Sequence, residues 1–222
     1  MNARIFSLSW DNIDARVLAA QRRVFEHLGV PILQHRIHRF DHGDWMDWVL
    51  HYHKQVEVFL FADADAFPLS HFAIIEALEK GARGALYGNA QVSHHIDPTR
   101  LFVAPSWCSL SRETWIAIGC PSARADNLHD VGQRWTQRML ECGMVVEMLR
   151  PRSCVKPLWT LPNGDNYGIA TQFESTSGAA NFHLFGVGGI SFNDPQYSRD
   201  ARIKLLEEEA DRVCAQPTAI RK

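Results

Sequence analysis

The chain has 222 residues, a formal net charge of −2, 46% hydrophobic residues and 22% charged residues. That composition excludes a collagen-like, coiled-coil or disordered chain, and a chain this long can bury about 70% of its unfolded surface without staples. The near-neutral balance argues against a dedicated electrostatic binder of nucleic acid and leaves room only for a local basic face. No apolar run reaches the roughly 18 residues of a membrane span, and Met1-Asn2-Ala3-Arg4 opens without a signal-peptide pattern.

The first predicted strand covers residues 5–8. Asp11 or Asn12 can cap a following helix, in which Ile13, Val17, Leu18, Phe25 and Leu28 recur at helical spacing. Gly29 stops it, and Pro31 opens a strand over 31–37, so the chain begins as a β-α-β unit. A second helix is predicted over 44–54, with Trp45, Trp48, Val49 and Tyr52 as its apolar stripe. The run 56–62 is almost continuously apolar and β-rich, as a central parallel strand should be, and it stops at Asp63-Ala64-Asp65. Ser70 caps a helix through Leu78, closed by Gly81. Strands alternating with helices in this way imply an open α/β sheet.

Further on, a strand region is predicted over 101–110, a short helix over 112–118 capped by Ser111, a helix over 127–142 and a strand over 144–149. Residues 151–180 are rich in Pro, Gly, Asn, Ser and Thr, which reads as a functional lid or a disordered segment. A last helix covers 198–213. With no repeat and no linker, residues 1–222 are expected to form one domain. The five cysteines (Cys108, Cys120, Cys142, Cys154 and Cys214) are odd in number and none has Cys-x-x-Cys spacing. They read as reduced, buried structural thiols of a cytoplasmic protein rather than a disulfide framework or zinc site.

Chemistry concentrates at the aspartate pair. In open α/β sheets ligands bind beyond the carboxyl ends of the strands, where Asp63 and Asp65 are expected. Two carboxylates one residue apart at a turn can face one hard divalent cation, which in turn bridges to substrate phosphates. The other reading is a solvated turn with one aspartate capping the next helix. Other signals are weaker. His51 and His53, or His94, His95 and Asp97, lack a convincing set of zinc partners. Gly-x-Gly-x-x-Gly after the first strand, a P-loop and a Gly-x-Ser-x-Gly elbow are all absent from the sequence. Arg134, Arg138, Arg150, Arg152 and Lys156 make one stretch basic, either a solvated face or an attraction for an anionic acceptor.

Phe59-Leu60-Phe61-Ala62-Asp63-Ala64-Asp65-Ala66-Phe67-Pro68-Leu69 resembles the Asp-x-Asp region of GT-A fold glycosyltransferases. Trp107-Cys108-Ser109-Leu110-Ser111-Arg112-Glu113-Thr114-Trp115-Ile116-Ala117-Ile118-Gly119 resembles their acceptor-side segment. His129-Asp130-Val131-Gly132-Gln133-Arg134 stands where family 2-like inverting enzymes carry Glu-Asp, with His129 in place of the Glu. The likeness in order and spacing extends over residues 4–150, about two-thirds of the chain.

The resemblance implies a nucleotide-diphospho-sugar transferase with an open mixed sheet flanked by helices. Residues 1–100 would hold the nucleotide sugar, and 101–222 would form the acceptor half with a C-terminal lid and helix. Asp65 would bind the metal, and Asp63 metal or ribose. Asp130 would be the general base at the start of a helix, whose dipole favours the carboxylate; an N-cap role is the other reading. His183 in Asn181-Phe182-His183-Leu184-Phe185-Gly186 would be a third ligand, favouring Mn²⁺ over Mg²⁺, or else an ordinary buried or surface histidine. Gly186, Gly188 and Gly189 would let backbone approach a diphosphate. Ser7, Trp10 and Asp11 follow the first strand and would line the nucleotide site, Asp11 holding base or ribose and Trp10 stacking; a capping Asp11 under a covering Trp10 is equally open. Asp44, Trp45 and Asp47 would reach the base region or, for Trp45, join the core. The acceptor hydroxyl is left open among glycan, lipid and hydroxymethylated DNA base. The competing functions are a haloacid-dehalogenase-like phosphatase, with Asp63 as nucleophile and Asp65 as acid, and a non-catalytic nucleotide-sugar-binding module.

Overall fold

The structure is a computed structural model that describes residues 1–38, 40–186 and 195–217. Strand β1 (Ala3–Ser9) leads through helix α1 (Ala15–His27) to β2 (Ile32–Arg36) and helix α2 (His42–Tyr52). Then come β3 (Val58–Asp63), the three-residue β4 (Ala66–Pro68), α3 (His71–Ala82), β5 (Leu86–Ser93) and the long β6 (Asp97–Ser111). Helices α4 (Arg112–Ala117) and α5 (Gln133–Glu141) precede β7 (Val146–Ser153). The chain continues with β8 (Lys156–Thr160), β9 (Asn166–Ile169), β10 (Thr171–Ser175), β11 (Gly178–His183) and α6 (Arg199–Cys214).

Nine strands form one mixed sheet in the order β2-β1-β3-β6-β5-β7-β10-β11-β4, and β8-β9 pair separately. β1 is parallel to both β2 and β3, whereas β6 is antiparallel to β3. This is the α/β open mixed sheet flanked by helices that was expected. Side chains alternate across the strands. On β3, Leu60 and Ala62 enter one core with Val24 and Phe25 of α1, Ile74 of α3 and Leu206 of α6. Phe59 and Phe61 enter the other, with Trp45 and Val49 of α2 and Trp135 of α5. Both faces are covered, which is why β3 is apolar at almost every position. Asn89 of β5 and Asn181 of β11 exchange amide hydrogen bonds of 3.1 and 2.8 Å, although two strands separate β5 from β11 in the sheet. The far half of the sheet therefore curls back on itself.

Several local expectations are corrected. Asp14, not Asp11 or Asn12, caps α1, because the Ile13 amide closes a turn on Trp10 and delays the helix. Asp41 caps α2 through the amides of Gly43 and Asp44, so this helix starts before residue 44. Gly81 does not stop α3. It lies within the helix, where a Cβ would fall 2.5 Å from Ser109 Oγ, so glycine serves close packing on β6. The helix expected from residue 127 begins only at Gln133: Asp126 captures the amides of Leu128 and His129 in a turn, and Gly132 is left-handed at φ 75°. β5 had no predicted counterpart. Residues 151–180 are not an irregular stretch: they hold the end of β7, the whole of β8, β9 and β10 and the start of β11, with Gly164 (φ 90°) and Gly178 (φ 122°) marking two of the bends. Of the five free cysteines only Cys108 is buried, so the expectation of buried thiols fails for the other four.

Candidate functional site

Asp63 ends β3, and Asp65 stands just before β4. β4 pairs antiparallel with β11, setting Ala66 opposite His183, while the Leu184 amide donates to the Asp65 carbonyl at 3.1 Å. Strand pairing thus brings a distant histidine beside the aspartate turn. His183 Nε2 is 3.3 Å from Asp65 Oδ1 and 3.6 Å from Asp63 Oδ2. One donor atom from each of the three residues lies within 4.8 Å of the others, and no other such group of His, Cys, Asp or Glu occurs among the described residues. The His51/His53 and His94/His95/Asp97 sets therefore form no metal centre there.

The donor set fits a divalent cation. Ligands about 2.1 Å from an ion and at right angles to each other are about 3 Å apart, close to the 3.3 Å seen between His183 and Asp65. Two carboxylates satisfy a hard ion, and the imidazole favours Mn²⁺ over Mg²⁺. The site is also electrostatically frustrated as it stands. Burial pushes the Asp63 carboxyl up, the neighbouring Asp65 adds to that, and His42 and His183 pull the other way. A bound cation would hold both groups as carboxylates. His183 is only 4% exposed, and its Nδ1 has no hydrogen-bond partner among the described residues.

Gln21 braces the turn from α1. Its fully buried amide donates to the carbonyls of Asp63 (2.7 Å) and Ala66 (2.8 Å), and its Oε1 accepts from Gln34 (2.9 Å). A cavity of about 290 Å³ opens over the triad. Asp130, Trp10, His42 and Gly186 all line it. Asp130 is neither helical nor a cap: Gly132 is the N-cap residue of α5. Its Oδ1 accepts from the Val131 amide (2.8 Å), its own amide donates to Gln133 Oε1 (2.7 Å), and no described cation forms an ion pair with it. Asp130 therefore stands before α5 rather than in its first turn, and it lines the cavity.

The other expected residues divide. Trp10 lines the cavity, its indole donating to the Phe40 carbonyl at 2.7 Å. Gly186, at φ 78°, also lines it, and its carbonyl accepts from Arg202 of α6; Gly188 and Gly189 lie outside the described residues. Ser7 is buried within β1 and does not line the cavity, because its strand position turns it into the sheet interior. Asp11 does not line it either. Its exposed carboxylate faces His38 (2.6 Å) and Arg36 (3.1 Å), which hold it below the usual carboxylate range. Asp44 pairs with Arg124, Asp47 accepts from Ser122 and the Ala123 amide, and Trp45 belongs to the core, so none of the three lines the cavity. Gln21 and His42 escaped the sequence reading: one sits inside an amphipathic helix, and the other carried no motif.

The far wall is aromatic. Phe185, at φ 57°, lines the cavity, with its ring centroid 3.8 Å from that of His183 and 5.6 Å from Trp159 of β8. Trp159 stacks on His94 at 4.4 Å and anchors the β8-β9 hairpin there. The basic stretch is compensated: Arg134 meets Asp126, Arg138 Glu141, Arg150 Asp165 and Arg152 Glu174, while Lys156 lies over the Tyr197 ring.

The molecule is thus an α/β chain with an Asp-Asp-His centre at the carboxyl end of its parallel strands. No family model matches the sequence, and no curated protein does. Among solved structures, a Drosophila beta-1,4-galactosyltransferase 7 variant in complex with manganese, UDP-Gal and xylobiose is similar over 75% of this chain and 70% of its own, at 12% identity and a TM-score of 0.44. A protein from STIV is similar over 88% of this chain and 100% of its own, at 13% identity and a TM-score of 0.43.

Proposed function

We propose that this chain is a metal-dependent glycosyltransferase of the GT-A type, transferring a sugar from a nucleotide-diphospho-sugar to a hydroxyl acceptor with inversion. The observation that carries the reading is one cavity lined by the Asp63, Asp65 and His183 donors and, apart from them, by Asp130. Asp63, Asp65 and His183 would hold Mn²⁺ or Mg²⁺, which supplies charge neutralisation of the departing diphosphate. Trp10 and Gly186 flank the space for the donor. Asp130 takes the proton of the acceptor hydroxyl as that oxygen attacks the anomeric carbon from the face opposite the leaving group. Because four arginines of the basic stretch are already matched by carboxylates, a glycan or lipid hydroxyl suits this reading better than a DNA base.

The test is thermal unfolding against a panel of nucleoside diphosphates and nucleotide sugars, each with and without Mn²⁺. A ligand at about 100 times its dissociation constant adds roughly 2.7 kcal/mol, a rise of several degrees for a chain of this size. One nucleotide should raise the midpoint only with Mn²⁺, and Asp65→Ala should erase the rise. A panel with no active member would remove the reading.

A further inference from the structure

Asp63 has an imidazole beside each of its carboxylate oxygens. Oδ2 faces His183 Nε2 at 3.6 Å, and Oδ1 faces His42 Nε2 at 3.5 Å. His183 belongs to the compact donor group, whereas His42 stands outside it. The two histidines therefore have different relations to the same carboxylate.

His42 is held firmly. It is the first residue of α2, whose start is set by the Asp41 cap. The next residue, Gly43, lies so close to the 123–124 backbone that a Cβ would come within 2.5 Å of Arg124 Cα, which seats this end of the helix. Trp10 meets the His42 ring edge-on at 5.9 Å, and Trp45 packs on it at 5.8 Å. Trp45 is itself fixed, its indole donating to His35 Nδ1 at 3.0 Å and its ring set edge-on against Phe61. The His42 side chain is 17% exposed and lines the cavity.

A cation held through the Asp63 oxygen that faces His183 leaves Oδ1 as the second lone-pair-rich atom of a sheltered carboxylate. Such outer oxygens require a donor, and the donor fixes the orientation of the ligand. We propose that His42 is a positioning residue of the metal centre: its Nε2 secures Oδ1 of Asp63, holds the other oxygen toward His183 and Asp65, and thereby sets how tightly a divalent cation binds. The inference rests on the metal reading given above. It assigns His42 no contact with the ion and no part in proton transfer.

The test is direct Mn²⁺ binding to the full chain, read from the electron paramagnetic resonance signal of free Mn²⁺, with no nucleotide and no turnover. His42→Ala should weaken binding roughly ten- to a hundredfold, the usual effect of losing an outer-shell partner. His42→Gln, whose carboxamide offers an N–H donor at similar reach, should recover most of it. His42→Phe fills the space between Trp10 and Trp45 without a donor and should bind as poorly as the alanine variant. If His42→Ala does not fold, the Gln and Phe variants carry the comparison. Wild-type affinity in the alanine or phenylalanine variant, or equal rescue by Gln and Phe, overturns the proposal and leaves the metal site intact. Failure of the wild-type chain itself to bind Mn²⁺ overturns the metal reading, and the role of His42 with it.

Discussion

Replacing Gln21 by Met tests how the aspartate turn is held. The ladder between β4 and β11 bonds through Asp65 with Leu184 and through Leu69 with Ala180. Antiparallel strands alternate in this respect, so the carbonyl of Ala66 turns away from β11 and takes its hydrogen bond from Gln21. Gln21 also donates to Asp63, and it is 0% exposed, so water cannot replace it. Methionine nearly conserves the volume but leaves both carbonyls without that donor. Each costs about 1–3 kcal/mol when buried and unsatisfied, so the variant should lose roughly 2–6 kcal/mol. For a chain of this length each kcal/mol is worth about 2–4 °C, giving a fall of about 4–24 °C in the melting midpoint. Calorimetry measures that fall, and Mn²⁺ binding should weaken alongside it because the backbone carrying Asp63 and Asp65 loses its brace. A Met variant that melts within about 2 °C of wild type would refute the claim that Gln21 supports the turn.

Two further outcomes follow from the site and the core. Asp130→Asn keeps the shape of the carboxylate but cannot accept the acceptor proton; transfer should fall about 10²–10⁴-fold while the Mn²⁺-dependent midpoint rise with the donor is unchanged, and loss of that rise would count against a base role. His35 and His53 stack at 6.0 Å, and burial holds both below the usual histidine range, with His53 adding to the effect on His35 and Arg112 to that on His53. Both therefore stay neutral in the folded chain while the unfolded chain takes up protons near pH 6.5, so their stability contribution is complete above that pH and is lost as pH falls toward their depressed folded values. Midpoints measured from pH 7.5 to 5 should decline, and less steeply in His35→Asn, which keeps an acceptor for the Trp45 indole; equal slopes would contradict the assignment.

What could be read from local sequence, and what could not, follows from the range of the interactions involved. β3 was legible because it is buried on both faces and must be apolar throughout. The caps at Ser70 and Ser111 were legible because a serine oxygen accepts from the amide three residues on in each case. β5 was not, because its residues answer to partners far along the chain: a Cβ on Gly88 would sit 1.9 Å from the Trp107 carbonyl, and Asn89 is matched to Asn181. The turn residues of 151–180 hid β8, β9, β10 and the start of β11 because their composition reports bends and is silent about the segments between. The same division runs through the site. The aspartates announced themselves by ending a strand, but His183 reaches them only through the pairing of a three-residue strand with β11, and so short a strand has no period to detect. Asp11 shows the converse. It follows β1 as a nucleotide-site residue would, yet its carboxylate pairs with Arg36 and His38 at the surface and does not line the cavity. Local pattern can nominate ligands, therefore, while the pairing of β4 with β11 and the brace from Gln21 decide which of them meet.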